Sequence, residues 1–518
     1  MFAKKANWSS TIYGKAVSAN MEYTGRAELN YQSSAVAFQL GFTNKQFGHL
    51  VGGDSTGVQD PSGYNEKAFD AKLKWKLNKN TLLTIAHQQL IQHDVPLYHR
   101  VTLENFNFYF FEPQQRKLSY LRLEKNVGGG ILNKLSITWS SQQNKETRKY
   151  LKNGSLYEFK ESDKVETVGL TLDLFSTFSK IFSANTGVEY YHDRVNSSKS
   201  QITLSDRSMV MQRGLYPDDA TSGNFSVYSL HHVSFNKFQI EAGIRFNQVS
   251  LNMVDTTSAY KLGSITIKPS SFVSNFSILY KINSLQSIYG SFSSGFRAPN
   301  IDDMGTLGLV DFRYEIPAYD LKPEKSFNAE IGYKLIGKKT KLSVALFNLQ
   351  LNDLITRVQI PALQVGGYNV YTKANNQQSY VRGFEFEYQL NLNQHFTAET
   401  NATYAFGQNS TRNEPLRRVP PFNGRTAFNY KNGHWKFCIE NMYAASQRRL
   451  AQGDKDDNRI PIGGTPGWYL LNLYAGYTIQ SVHIQTGMMN LLNTDYRMHG
   501  SGINGAGRNI FCALKFTL

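Results

Sequence analysis

The sequence predicts an all-β fold, a transmembrane antiparallel β-barrel of about 22 strands with short periplasmic turns and long extracellular loops. Three observations lead there. Aromatic residues make up 13 % of the 518 positions, yet the mean hydropathy is −0.42, so large rings are interleaved with polar residues instead of clustered. Several segments alternate apolar and polar residues with period two, which gives a strand one greasy and one wet face. Short and long breaks between these segments alternate along the chain, as they do when one barrel end faces the periplasm and the other the exterior. No apolar run approaches the ~18 residues of a transmembrane helix. Only helices and closed barrels satisfy their backbone in lipid, so a membrane role implies a barrel.

Taken in order, Trp8–Ala19 is a candidate first strand, which can be incomplete, and about 21 more strands run from Met21 to Leu518. The alternation is plainest in Phe238–Phe246, Phe327–Leu335 and Phe384–Leu392. Tight turns are expected near Asn78–Asn80, Asn236, Asn283, Gly337, Asn393 and Asn432–Gly433, where Asn and Gly suit compact turn geometry. Long loops are expected at Gly48–Asn65, His93–Gln115, Asn144–Asp163, Asn196–Gly223, Met253–Pro269, Pro299–Lys322, Asn409–Pro421 and Ala451–Pro466. The last strand places Ile510, Cys512, Leu514, Phe516 and Leu518 on one apolar face, ready to meet strand one. The whole of 1–518 reads as one barrel domain, with no linker and no repeat beyond the hairpin.

The chemistry of an enzyme is not visible. There is no GxSxG, HExxH or Walker A pattern, no cofactor is called for, and the 11 histidines are scattered. His231 and His232, adjacent on a strand, point to opposite faces and cannot share a metal. Glu385 and Glu387 share a face, about 7 Å apart, and read as lumen lining. His93, Asp94, His99 and His499 fall in expected loops and are the candidate ligand contacts. Cys438 and Cys512 lack any CxxC spacing. The net charge of +16 is spread along the chain, which argues against nucleic acid and suits contact with phosphates of the outer-membrane lipid and lipopolysaccharide.

Three stretches carry a resemblance. Gly295-Phe296-Arg297-Ala298-Pro299-Asn300 resembles the FRAP box of TonB-dependent outer-membrane receptors. Leu321-Lys322-Pro323-Glu324, followed by Glu330-Ile331-Gly332, is similar to the L-x-P-E … E-x-G segment that enters the next strand in that family. Asn490-Leu491 … Tyr496-Arg497 … Gly507-Arg508 resembles its closing motif. The residues also have a physical reading. Pro299 and Pro323 cannot donate to a β-ladder and so mark strand ends, and Arg297 can pair with lumen carboxylates. Their first role is therefore expected to be structural.

The resemblance implies energy-coupled uptake of a scarce chelate, such as a siderophore, cobalamin or metal complex, in the bacterial outer membrane. Its partners would be that small-molecule ligand and the inner-membrane TonB complex, reached through a plug domain. No histidine lies between residues 300 and 320, which disfavours haem. The start MFAKKANWSSTIYG has no apolar stretch behind its lysines and does not read as a signal peptide. The chain enters strands almost at once, with no plug-like segment before them, and is expected to be a receptor barrel without its plug. A passive porin-type channel is the alternative.

Overall fold

The computed structural model describes residues 2–255, 263–310 and 313–518. It is a closed antiparallel barrel of 22 wall strands. In chain order these are β1 (Asn7–Val17), β2 (Glu22–Gln32), β3 (Val36–Phe47), β4 (Tyr64–Asn78), β5 (Thr81–His93), β6 (Phe106–Asn126), β7 (Leu132–Lys152), β8 (Tyr157–Thr177), β9 (Phe182–Thr203), β10 (Ala220–Phe235) and β11 (Phe238–Asp255). The second half continues with β12 (Ser270–Lys281), β13 (Gln286–Arg297), β14 (Glu324–Ile336), β15 (Thr340–Val365), β16 (Tyr368–Asn391), β17 (Phe396–Asn409), β18 (Asn423–Asn432), β19 (Trp435–Ala444), β20 (Trp468–Ile479), β21 (Val482–Met489) and β22 (Asn509–Thr517). Consecutive strands pair, and β22 pairs antiparallel with β1 from Phe511↔Val17 to Thr517↔Thr11. Closure leaves the sheet no edge to satisfy.

Period two sorts the side chains. On neighbouring strands Ile331, Leu346 and Phe384 are in register, and Ile331 is 62 % exposed on the outer wall. Their neighbours Gly332, Ala345 and Glu385 face the lumen, where the Tyr289 ring fills the space over Gly332 and its hydroxyl donates to Glu330 Oε1 at 2.7 Å. In β22 the outward row is Ile510, Cys512 and Leu514, while Phe511 and Ala513 are buried.

One end of the barrel carries the tight turns. Side-chain oxygens of Asn78, Asn283 and Asn393 accept backbone N–H groups two or three residues on, and Gly433 turns at φ +53°. All six expected turns are there. The same end holds Gln32–Val36, Asn126–Leu132, Thr177–Phe182 and Ile479–Val482, which lack so plain a signal. The opposite end carries the long connections.

Two expected loops are corrected. Asn144–Asp163 is not a loop: β7 and β8 run on to Lys152 and from Tyr157, leaving a four-residue turn. His93–Gln115 shrinks to a short connection with helix α1 (Tyr98–Leu103), because Phe106 already begins β6. A register shift opposite Glu146 and Arg148 inserts residues 112 and 113 into β6, and such a bulge hides the period. The longest hairpin, β15–β16, has 26- and 24-residue strands and was not among the expected long segments. The Met253–Pro269 connection contains the short strand Gly263–Ile267, and its residues 256–262 lie outside the described residues.

Candidate ligand-binding mouth

The barrel mouth is built mainly by the connection between β13 and β14. It leaves the wall at Arg297 and re-enters at Glu324, and those two residues lock together. Arg297 Nε and Nη2 donate to the two carboxylate oxygens of Glu324 at 2.7 and 2.9 Å, and Nη1 reaches Asp303 Oδ2 at 2.6 Å. Such forked Arg–carboxylate pairing is strong and directional. Asn300 caps the short helix α2 (Ile301–Gly305), its Oδ1 accepting from the Asp303 N–H while Asp303 Oδ2 accepts from the Asn300 N–H. Pro299 is fully buried, and Glu324 Oε1 also accepts the Ile355 N–H at 2.7 Å. Arg297, Asn300, Asp303 and Glu324 thus form one joint at the root of the connection, with Phe296, Ala298, Pro299 and Pro323 adjoining it in sequence and Leu321 packed further in.

From that joint the connection turns inward. Ile301, Met304, Ala318 and Leu321 pack with Val195, Ala220, Leu251 and Met253 into a buried apolar cluster. On β11 the lumen-facing set includes Arg245, Asn247, Leu251 and Met253, since Ile244 and Phe246 face outward. The cluster is therefore inside the mouth, and α2 sits against the lumen face of β9–β11. Burial of Met304, fully enclosed, contributes about 1.5–3 kcal/mol and holds the connection in place.

The upper half of the β15–β16 hairpin completes the mouth. Register shifts after Leu351, with Asp353 at φ +55°, mark where it departs from the regular wall. The short strand Arg313–Glu315 then runs parallel to β16 through Tyr314↔Val370. At the hairpin tip the Lys152 ammonium donates to the Tyr368 hydroxyl and lies 4.9 Å from its ring centroid, so the start of β16 reaches β7, nine strands away.

Between these segments lies a cavity of about 650 Å³ lined by, among others, Asp302, Arg313, Arg357, Lys373, Arg412 and Asp456. Its charges are mostly mated. Lys373, 7 % exposed, donates to Asp302 Oδ2 at 2.8 Å and lies 3.7 Å from both Asp303 and Glu315, while Arg357 pairs with Glu315. Burial pushes the Asp302 carboxyl up, but the Lys373 charge and hydrogen bond outweigh this and hold it below the usual carboxylate range. Beside the cavity, Asp457 is wholly enclosed by Arg417, Arg418 and Arg459, with contacts of 2.8 Å to Arg417 and Arg459. Burial opposes its ionisation, yet the Arg459 hydrogen bonds and the Arg418 charge keep it well below the ordinary value.

The closing motif ties the connection between β21 and β22 to the one between β3 and β4. Asn490, 2 % exposed, donates from Nδ2 to Thr494 O at 2.8 Å and Ala506 O at 3.0 Å, and its Oδ1 accepts the Thr494 N–H at 2.8 Å. The Leu491 N–H donates to Leu471 O, Tyr496 packs on Trp468 at 5.3 Å between centroids, and the Arg508 N–H donates to Asn493 Oδ1. Gly507 must be glycine, since a Cβ there would lie 2.5 Å from Gly52 O.

Of the four candidate contacts, His93 and Asp94 stay together at Glu112, while His99 and His499 take other neighbours. His93 Nδ1 is 2.7 Å from Glu112 Oε1, and the Asp94 N–H donates to Glu112 Oε2 at 2.8 Å. His99 instead packs against Gly502, and His499 Nδ1 meets Thr465 Oγ1 at 2.9 Å. His231 and His232 take different partners, Ser229 and Glu241. Among the described residues no group of three or more His, Cys, Asp or Glu side chains is placed to hold a metal ion. The mated charges at Lys373 and Asp457 were invisible in sequence. Their only trace is the opposite charges of Arg417-Arg418 and Asp456-Asp457 in neighbouring expected loops.

A large closed barrel whose longest connection folds back into its mouth around a ligand-sized cavity defines a receptor-type outer-membrane barrel. Residues 12–491 match the family described as TonB dependent receptor-like, beta-barrel. The chain belongs to that family, whose members are outer-membrane proteins. Transferrin-binding protein A of Neisseria gonorrhoeae is 24 % identical over 235 residues, which are 39 % of this chain and 25 % of that relative's length. Among solved structures, the copper transporter OprC superposes with a TM-score of 0.86 at 14 % identity, covering 100 % of this chain and 81 % of that one. The FrpB iron transporter of Neisseria meningitidis gives 0.77 at 12 %, covering 99 % and 81 %, and the siderophore receptor PirA of Acinetobacter baumannii gives 0.75 at 15 %, covering 100 % and 81 %.

Proposed function

We propose that this barrel forms the wall and mouth of a receptor for energy-coupled uptake of a metal chelate, such as a siderophore complex, across the outer membrane. The observation that carries this reading is the inward-folded β13–β14 connection, locked by Arg297, Asp303 and Glu324, beside a cavity of about 650 Å³. That volume suits a small chelate. The copper, iron and siderophore transporters that share the fold support a metal-bearing cargo. A passive pore has less use for a mouth narrowed by a packed apolar cluster. The long loops face the exterior and the tight turns the periplasm, and coupling to the TonB complex passes through a plug domain distinct from the wall.

The test is uptake of radio-iron-labelled ferric catecholate and hydroxamate chelates, and of copper(II), by cells carrying the intact gene, with and without TonB. Saturable uptake of one probe that disappears without TonB, and weakens in Lys373→Ala and Arg412→Ala, is expected. Uptake that rises linearly with concentration and ignores TonB would mark a passive channel instead.

A further inference from the structure

The outer wall of β6–β9 carries a charge pattern that the uptake reading does not use. The lipid-facing row there is Leu121, Trp139, Leu170 and Tyr190, all strongly exposed and all in register. Three pairs further toward the long-loop end, the same outward face presents Lys145 directly opposite Lys164, and four residues beyond these, Lys149 directly opposite Lys160. Directly paired residues hold their Cβ atoms about 5 Å apart, so each lysine pair sets like charges face to face, which destabilises a sheet unless something neutralises it. Between the two pairs, about 13 Å apart along the strands, Thr147 Oγ1 meets Ser162 Oγ at 3.2 Å on the same face. Lys117 and Arg194 flank the patch, in register through Gln143 and Glu166.

Local acids cancel only part of this charge, at Lys164 through Glu166 and in part at Lys149 through the nearby Glu112 carboxylate. Glu166 lies 2.6 Å from Lys164, Glu158 faces Arg207 at 3.4 Å, and Glu112 is engaged by His93 at 2.7 Å. Lys145, Lys149 and Lys160 have no acidic side chain within ion-pair distance among the described residues. Lys149 lies instead 5.9 Å from the Phe110 ring centroid. On the next wall sector the corresponding outward positions are the uncharged Thr221, Gly223, Gln248 and Ser250.

We infer that Lys145, Lys149, Lys160 and Lys164 bind the phosphate groups of a phosphorylated outer-leaflet glycolipid of the lipid A type. The position is what selects this occupant. The four ammonium groups stand outside the wall, directly above its lipid-contacting rings, where headgroup phosphates lie and the lumen ligand cannot reach. Two lysine pairs separated along the strand suit a headgroup with two phosphates, and the half-buried Ser162 hydroxyl between them, held by the buried Thr147, suits its sugar. The inference rests on the membrane placement of the barrel but not on what the barrel transports.

The test uses the full chain in detergent micelles, titrated with bis-phosphorylated lipid A and with the same lipid after enzymatic dephosphorylation. Bound lipid is read by native mass spectrometry. The quadruple variant Lys145→Ala, Lys149→Ala, Lys160→Ala, Lys164→Ala should bind bis-phosphorylated lipid A more weakly, on the order of tenfold or more. A Lys338→Ala, Lys339→Ala variant at the tight-turn end should bind as the parent does, and a quadruple Lys→Arg variant should keep most of the affinity. Heat-modifiable gel mobility verifies that each variant is a closed barrel, separating failure of the site from failure of the fold. Equal binding by the alanine variant, or equal binding of dephosphorylated lipid, would overturn the inference.

Discussion

Asn490 shows how much one side chain can organise. Its amide closes the turn at Thr494 and anchors Ala506 across the same connection, with almost no access to water. Asn490→Ala strands these groups without partners and is expected to cost about 2 kcal/mol or more, seen as a lowered unfolding midpoint in detergent. Asp457 gives a pH signature. Its carboxyl is held well below its unfolded value, so its stabilisation is present above about pH 4 and is lost progressively as pH falls from there toward the lower folded value. Hydrogen exchange in 451–466, corrected for intrinsic rates, should therefore accelerate on acidification, and Asp457→Asn should accelerate it already at pH 7 and flatten the response. These roles differ in legibility. Pro299 and Pro323 could be placed at strand ends because proline donates no ladder bond. The partner that Arg297 takes, Glu324, follows from the strand ends those prolines set. Asn490 and Asp457 act through contacts between connections distant in sequence, which no local pattern encodes.

At the scale of elements, the wall and its inward connection make separate claims. Ile331→Arg on β14 puts a cation into the outward row and is expected to impair assembly by about 2–4 kcal/mol. Glu385→Gln on the lumen face of β16 should fold as the parent does, and a comparison of folding yields into vesicles checks both. Met304→Asp places an unpaired charge in the apolar cluster, which costs several kcal/mol. Its expected result is proteolytic cleavage within 298–323 while the barrel keeps its heat-modifiable mobility, because α2 is attached to the wall and not part of it. The elements that sequence reading missed share one cause. In 144–163 and in the upper β15–β16 hairpin, both faces carry polar or charged residues, such as Lys145 and Lys164 outside and Arg148 and Asp163 inside, so alternation of hydropathy fades although the strand continues. In Phe106–Phe111 the opposite happens: both faces are aromatic, and the bulge at residues 112 and 113 shifts the phase. Where lipid touches one face and water the other, as in Phe327–Leu335, the strand was plain.

For the whole molecule, closure follows from the pairing of β22 with β1, which turns a row of hairpins into a wall without edges. Trp8–Ala19, a candidate first strand by pattern alone, is the partner that makes this possible, as Asn7–Val17. The strand number and the alternation of turns and loops were readable because each depends on the nearest neighbours in sequence. The inward fold of 298–323 was not, since its packing surface is supplied by β9–β11. The central claim is that this wall crosses the outer membrane with its long connections outside and its tight turns in the periplasm. Single cysteines at Asn153 and Lys338, both exposed, in a Cys438→Ser, Cys512→Ser background test it most directly, using a membrane-impermeant maleimide on intact cells. Asn153→Cys should label in intact cells, and Lys338→Cys only after the outer membrane is permeabilised. Labelling of Lys338→Cys in intact cells with Asn153→Cys protected, or equal labelling of both, would contradict it.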